Sequence, residues 1–443
     1  MSIEIDFSYS LTEDIIKEIS KDKDEPSWML EKRLEAFHLY LKKPLPNWGP
    51  KFEKLNLHKI IYYISPTVLE KNNWNELPKD ISQQFEKLGI PKAEREYLGG
   101  VGAQYDSGIV YHSIKESLKK QGVIFENMDT AIKLYPDLVK KYFMTNCVPV
   151  NDHKFTMLHG ACWSGGTFIY VPKNVKVSLP LQAYFRMNKE KGGQFEHTLI
   201  IADEGSHVEY IEGCSAPQYN FSSLHAGCVE IFVMKDAKVK YSSIENWSKD
   251  VFNLNTKKAL VFERGEIEWL NGNMGSNTTM LYPTSILLGE GAKSESLSIV
   301  MAGENQNQDT GAKTIHLAPN TSSIIKSKSI SKNGGIATYR GFVHIGKKAK
   351  NSFVKVTCDN LILDDKSQSI AIPVNKIENQ DVEISHEAKV GRLSPKEIFY
   401  TNLHGFDKYA SERIIVGGFA NEVVKKLPLE YALELNKLID LEM

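Results

Sequence analysis

From roughly His159 to Val390 the chain reads as strand after short strand, apolar and polar positions alternating with no helical period among them. Within this stretch a small–polar–apolar–x–aromatic pattern keeps returning. It stands as Ser206-His207-Val208-Glu209-Tyr210, as Ala237-Lys238-Val239-Lys240-Tyr241 and as Gly265-Glu266-Ile267-Glu268-Trp269. Looser copies follow at Ala292-Lys293, at Thr321-Ser322-Ser323-Ile324 and at Ala349-Lys350. The returns lie about 27 to 31 residues apart, a spacing typical of units that bury their apolar face only by stacking on the next copy. Strand alternation with a solenoid period predicts a parallel β-helix. A sandwich would show turns every 8–12 residues without internal copies.

The flanks read as helical. Thr12 caps a first helix with Ile15, Ile16 and Ile19 on one face, and a second runs from Glu25-Pro26-Ser27 through Trp28, Leu30, Leu34 and Phe37. Pro44, Pro46 and Pro50 then interrupt the chain. Shorter helices are expected at 81–88, after Pro91, and at 129–142. Gly99-Gly100-Val101-Gly102 lacks the lysine and strand–loop–helix setting of a phosphate cradle and is expected to be a turn. Another turn is expected at Lys332-Asn333-Gly334-Gly335. Ser394-Pro395-Lys396-Glu397 is a capping box with proline at the first helical position. Helices follow it through Phe399 and Leu403, from about Ser411 to Val416, and from Pro428 to Leu441. The division is therefore a helical region at 1–155, a β-helix at 156–390 and helices at 391–443, the last with little core of their own. They are expected to pack on the solenoid or to meet a partner.

Composition narrows the function. With 42% hydrophobic and 25% charged residues the chain is an ordinary globular protein. A net charge of −1 without a basic block gives nucleic acid no footprint. No apolar run approaches 18 residues, so no membrane span is expected. The start, Met1-Ser2-Ile3-Glu4-Ile5-Asp6, has no signal-peptide character, which points to a reducing cytoplasm. Cys147, Cys162, Cys214, Cys228 and Cys358 are too few and too scattered for a disulfide framework or a finger-type metal site.

Few residues carry chemistry by themselves. His153 and His159 are expected to be hydrogen-bonded at the domain junction, and Cys162 and Cys228, in apolar strand contexts, to be inert core. Cys214 ends a strand in Glu212-Gly213-Cys214-Ser215-Ala216-Pro217, a turn-like setting where a thiol can be reached. His386-Glu387 puts an imidazole beside a carboxylate, but on one strand the two face opposite sides.

Longer segments resemble a known family. Glu25-Pro26-Ser27-Trp28-Met29-Leu30-Glu31-Lys32-Arg33-Leu34, Gly102-Ala103-Gln104-Tyr105-Asp106-Ser107 and His159-Gly160-Ala161-Cys162-Trp163-Ser164-Gly165-Gly166 are similar to stretches of the SufB/SufD family, on its SufB side. So are Pro180-Leu181-Gln182-Ala183-Tyr184-Phe185-Arg186-Met187-Asn188, Tyr210-Ile211-Glu212-Gly213-Cys214, Asp309-Thr310-Gly311-Ala312-Lys313 and His316-Leu317-Ala318-Pro319-Asn320-Thr321-Ser322-Ser323. The family builds iron–sulfur clusters in the SUF system. The resemblance implies a right-handed parallel β-helix between helical domains. It also implies assembly with the ABC-type ATPase SufC, docked on the helices 394–443, and with SufD or a second SufB. Sulfur would come from a cysteine desulfurase or its carrier, and the transient iron–sulfur cluster would pass to apo-proteins.

By the same resemblance Cys214 matches the thiol that accepts sulfur, and Arg186, Asn188, Trp247 and Lys257 match positions along a sulfur path inside the β-helix. Glu245 stands where many relatives have glutamine, and Glu387, beside His386, matches an acidic residue of the cluster site. Ser367 replaces a cysteine that some members use to hold the nascent cluster. A hydroxyl is a poor iron ligand, so Glu387 or another thiol, with Cys358 nearest in sequence, would have to serve. Reduced flavin accompanies some complexes of the family, and nothing in these residues decides it. ATP hydrolysis by this chain is discounted for want of a Walker A sequence. Two other readings remain open: a SufD-like structural subunit that docks SufC without ligating a cluster, and, by fold analogy alone, a β-helix carbohydrate lyase or hydrolase.

Overall fold

The computed structural model describes residues 11–65, 70, 71, 73–87, 97–218, 221–427 and 429–443. The helix expected after Pro91 falls in 88–96, outside the described residues. Residues 166–392 wind into a parallel β-solenoid of about eight turns. One sheet takes a strand from each coil, in the order Leu181–Arg186, His207–Ser215, Lys238–Trp247, Glu266–Gly275, Lys293–Ala302, Ser322–Ser331, Ser352–Ile362 and Val382–Arg392. The facing sheet runs His197–Ala202, Cys228–Val233, Thr256–Val261 and Thr284–Leu287. Short strands at Gly193–Gln194, Ser223–His225, Val251–Asn253 and Thr278–Leu281 form a third side in the early coils. Asn307–His316 ends that arrangement, because its first residues pair with Thr278–Leu281 and its last with Thr284–Leu287. Beyond it each coil is two-sided, with Ile336–Ile345 and Gln368–Ile377 stacked in turn.

The repeat pattern maps onto the starts of the first sheet's strands. Val208, Val239, Ile267, Ser294 and Ser323 stack in register and point inward. The last loose copy is displaced. Thr321 stacks on Ser352 through their hydroxyls at 2.7 Å, not on Ala349, because the path from Ile345 to Ser352 is two residues longer than that between their stacked partners His316 and Thr321. Corners repeatedly use Asn or Asp in the left-handed region, at Asn174, Asp236, Asn305, Asn320, Asn333 and Asn351, since their short side chains bond locally and tolerate it. Asn333 with Gly334 forms the expected turn.

The N-terminal region is not purely helical. Gly100–Tyr105 and Gly108–Ile114 make an antiparallel hairpin that adds in parallel to Leu181–Arg186 and covers the first sheet's edge. The glycines expected to turn are thus in and beside a strand. A Cβ on Gly99 would meet Leu118 Cδ1 at 2.8 Å and one on Gly100 would meet Phe125 Cδ1 at 2.9 Å, so they serve close approach. Ile124–Asn127 pairs antiparallel with Gly166–Val171. Helix Glu13–Asp22 starts at Thr12, whose hydroxyl accepts the Ile15 amide, and buries Ile15, Ile16 and Ile19. Helix Ser27–Lys42 buries Met29, Arg33, Ala36, Phe37 and Tyr40 rather than the face expected through Trp28, Leu30 and Leu34. Arg33, fully buried, donates to both Glu25 oxygens and to the carbonyls of Ala161 and Trp163, tying this helix to Lys154–Cys162. The segment expected as one helix at 129–142 is two, Met128–Leu134 and Pro136–Tyr142, divided where Pro136 cannot donate.

At the other end, helix Pro395–Leu403 begins at Ser394, but the serine side chain makes no capping bond. Proline alone carries the start signal. Lys408–Val424 and Leu429–Glu442 follow, the former nearly three times as long as expected. Val416, Ala420, Val423, Leu435, Leu438 and Ile439 cover the outward apolar residues Ile211, Ile244, Leu270, Leu297 and Ile299 of the first sheet. The docking supplies the core that these helices lack. Leu435→Ala should cost about 2–5 kcal/mol by the usual measure of a buried leucine truncation. Chemical denaturation should show the loss, and limited proteolysis should open the helix Leu429–Glu442 before the solenoid.

Candidate functional site

Strand pleating turns alternate residues into the bore, and parallel stacking sets each on its equivalent in the next coil. One inward column reads Phe185, Cys214, Glu245, Asn273, and the next reads Ala183, Glu212, Ser243, Asn271. Lys257 enters from the facing sheet, in register with Thr198 and Val229. From the third side come Gln194, His225, Asn253 and Thr279. All these residues are buried, so the early coils enclose a polar interior.

Its hydrogen bonds are continuous. Lys257 Nζ donates to Glu245 Oε1 at 2.7 Å and to Ser243 Oγ at 3.0 Å, with Glu212 Oε1 at 3.7 Å. Asn253 donates to the other Glu245 oxygen, and His225 lies between Asn253 and Glu196. Asn273 donates to Thr279 and to Gln308 Oε1. The Trp247 ring lies 4.3 Å from that of His225.

Charge is distributed unevenly across these groups. Burial would push the Glu245 carboxyl up, but Lys257 and then His225 hold it below its ordinary value. Burial raises Glu212, although Lys257 pulls the other way. Burial would likewise depress Lys257 and His225, yet the former is raised by Glu245 and Glu212 and the latter by Glu196. Lys257–Glu245 is accordingly the charged pair, and Glu212 is the carboxyl poised to take a proton.

Cys214 is 1% exposed, which corrects the expectation of a reachable thiol. The strand continues through Ser215, and the next coil covers it before the chain turns away. Burial, then the nearby Glu212 carboxyl, push the thiol well above its usual range, and Sγ lies 4.0 Å from Glu212 Oε1. The resting group is a thiol with a proton acceptor beside it.

Cys214, Trp247 and Lys257 share this interior; Arg186 and Asn188 do not. Phe185 takes the inward place against Cys214, so Arg186 faces away and its Nη1 donates to Ser215 Oγ at 3.0 Å. The Asn188 backbone N–H donates to Asp106 Oδ1 just beyond. Sequence reasoning missed Glu196, Glu212, His225 and Asn253. Glu212 was accessible in principle, because a charged residue two places before Cys214 on one strand must share its face.

The expected cluster-side residues are not brought together. His386 and Glu387 lie on the unbroken strand Val382–Arg392, in register with inward Val356 and outward Thr357. Glu387 is exposed and pairs with Lys389 at 2.9 Å. Ser367 is in a turn, where Oγ donates to Asp364 and accepts the Gly334 amide, both at 3.0 Å. Cys358 is fully buried between Ser327 and Ala388, and burial pushes its thiol up to about 11.

A second buried group lies outside the bore, where helix Lys154–Cys162 packs on the solenoid. Cys162 ends this helix, not a strand as expected. His153 caps it, and both expected histidines are hydrogen-bonded. His159, His197 and Cys228 place one donor each within 4.8 Å of one another, a set that could hold a metal. The ring nitrogens are already engaged, however. His159 Nδ1 must donate to the Ala226 carbonyl at 2.9 Å, so its Nε2 accepts from His197 Nδ1 at 3.0 Å. His197 Nε2 then accepts from a protonated Glu230 at 3.1 Å, whose carboxyl burial pushes up to about 8. Glu230 also accepts the Met144 and Val148 amides. A metal would have to displace this chain of neutral groups.

Among known proteins, a family model described as "SUF system FeS cluster assembly, SufBD core domain" matches residues 185–419, and one described as "SufBD protein N-terminal region" matches 17–183. Proteins named as iron–sulfur cluster assembly SufBD family proteins of Staphylococcus haemolyticus (strain JCSC1435) and Staphylococcus aureus (strain MRSA252) are each 52% identical over 433 residues. The match covers 98% of this chain and 93% of each relative.

Two substitutions check the electrostatics. Lys257→Met leaves two carboxylates in the bore without their cation and should cost about 3–5 kcal/mol in chemical denaturation. Glu230 keeps its proton to about pH 8 when folded, against an ordinary 4.5. Its contribution is therefore full below 4.5 and is lost as pH rises through 8. Denaturation midpoints of Glu230→Gln, which can still donate to His197, should fall less steeply between about pH 5 and 9 than those of the parent.

Proposed function

The chain belongs to the SufBD family of iron–sulfur cluster assembly proteins, and from that premise we propose that it is the SufB-type scaffold, accepting sulfur at Cys214 for a nascent cluster. The observation that carries this reading is the thiol held between a carboxyl and an ammonium in a closed polar bore. A donor persulfide from a cysteine desulfurase or its carrier reaches Cys214 as the chain opens around it. Glu212 takes the thiol proton, and the Cys214 sulfur attacks the outer sulfur of the donor. The donor S–S bond breaks, a new one forms on Cys214, and the donor leaves as a thiolate that regains a proton. No oxidant is consumed. Lys257 offers its charge to the resulting persulfide anion.

From this point the inward columns continue as Ser298, Ser327 and Cys358, and, past the apolar Val300, as Ser329 and Asn360, with Ser298 bonded to Ser327 at 3.2 Å and Ser329 to Asn360. This hydroxyl-lined row is the route by which sulfur would move toward the far end. There the exposed Glu387 is the ligand offered to the cluster as cargo, completed across a partner, while His386 lies on the opposite face of its strand. Ser367 is committed to its turn and Cys358 is sealed in the core, so neither replaces the missing thiolate in the resting chain. The last strands leave Ile370, Val374, Ile377 and Val390 exposed, a face suited to SufD or a second SufB. Phe399, Tyr400, Leu403 and Tyr409, each more than 60% exposed, suit docking of the ATPase SufC. Among the described residues no helix is long and apolar enough to cross a membrane, in keeping with a cytoplasmic assembly that delivers clusters to apo-proteins.

Anaerobic reconstitution with SufC, followed by iron and sulfide content and visible absorption, tests the reading. The parent should acquire a cluster, Cys214→Ala should lose both the cluster and the one-sulfur mass increase, and Glu387→Ala should load sulfur but not iron. Cys358→Ala should keep its cluster unless the thiol is released from the core. A parent that binds SufC yet acquires no cluster would instead make the chain a structural, SufD-like subunit.

A further inference from the structure

Outside the bore, the N-terminal hairpin and the strand Ile124–Asn127 enclose a solvent-open cavity of about 600 Å³ lined by Glu70, His112, Lys119, Phe125 and Glu126 among others. Three of these converge. One donor atom each from Glu70, His112 and Glu126 lies within 4.8 Å of the other two, and His112 Nδ1 is 3.8 Å from Glu126 Oε1. His112 is 8% exposed, and its Nε2 is buried with no hydrogen-bond partner. A buried ring nitrogen without a partner is costly to leave so. Two carboxylates in one cavity repel each other unless a cation stands between them. Asn127 restrains both, its side chain donating to Glu70 and its backbone amide to Glu126. His159, His197 and Cys228 differ in each respect: both rings are engaged and the group is sealed.

We propose that Glu70, His112 and Glu126 form a binding site for a divalent transition-metal cation at the wall of this cavity. Two carboxylates and one imidazole suit Fe²⁺ or Mn²⁺ and leave coordination positions open toward solvent. A small inner void also touches His112 and Glu126, and runs between Gln104, Thr167 and Phe185. Phe185 is the residue stacked against Cys214. The site therefore stands outside the end of the bore at which sulfur is accepted. Resting on the function proposed above, its cation would be iron(II) held near the sulfur-accepting thiol.

The test is a Mn²⁺ titration of the purified full-length chain, read by electron paramagnetic resonance of the free ion, with anaerobic Fe²⁺ as competitor. Manganese prefers oxygen and imidazole donors over thiolates, so the cysteines do not confuse the reading. One tight equivalent is expected, displaced by Fe²⁺, weakened at least about tenfold in His112→Gln and Glu126→Gln, and unchanged in Cys214→Ser. Should His112→Gln misfold by circular dichroism, Glu70→Gln carries the same expectation. Absence of a tight equivalent, or one that survives all three substitutions, overturns the site. Binding is measured without cluster assembly, so a failure here leaves the scaffold reading standing, and a failed reconstitution leaves the metal site standing.

Discussion

An ammonium group sealed inside a protein is tolerable only if its charge is answered at contact distance, and Lys257 makes that demand at the centre of this solenoid. Glu245 answers it at 2.7 Å, with Ser243 and the more distant Glu212 completing the shell. Much of the early coils follows from this arrangement. Asn253 must hold the second oxygen of Glu245, His225 must hold Asn253, and Glu196 must hold His225. A chain that only needed stability would fill the bore with apolar side chains, since replacing a buried ion pair by hydrophobic residues is often neutral or better. The polar filling is concentrated around one cysteine, and the later coils, with Ile325, Tyr339, Val343, Val354 and Val356, contain a drier core.

A glutamine at position 245, which the resemblance to the family leads one to expect, would have a definite consequence in this setting. A glutamine would leave Lys257 with Glu212 as its only carboxylate. Glu212 would then be held in its charged form and would be a weaker proton acceptor for the thiol. With Glu245 as the charged partner, Glu212 is left nearer to protonation.

The architecture was legible because a solenoid writes its period into the sequence: Val208, Val239 and Ile267 repeat on the chain as they stack in space. What failed were positions at which a local signal had two causes. Gly99 and Gly100 read as turn residues because glycine frees the backbone, but here the missing side chain admits Leu118 and Phe125. Cys214 read as reachable because glycine and proline flank it, whereas burial depends on the neighbouring coils, which no local window contains. Cys162 read as strand because its surroundings are apolar, and an apolar helix end sandwiched between layers has the same composition. The site was only half legible for a related reason. Cys214, Trp247 and Lys257 emerged through resemblance, while Glu196, His225 and Asn253 join the network across sequence separations that only the winding closes.

Stacking in register also makes the coil a unit of length. Strands repeat every 4.7–4.9 Å, and five steps separate the strand of Cys214 from that of Cys358. The two sulfurs are therefore held roughly 24 Å apart by a count of coils, not by any particular contact. Adding or deleting one coil between them would shift the far end by a single strand spacing, and the residues around Cys214 would be untouched. The solenoid is in this sense a ruler, on which the spacing between any two stacked residues is an integer.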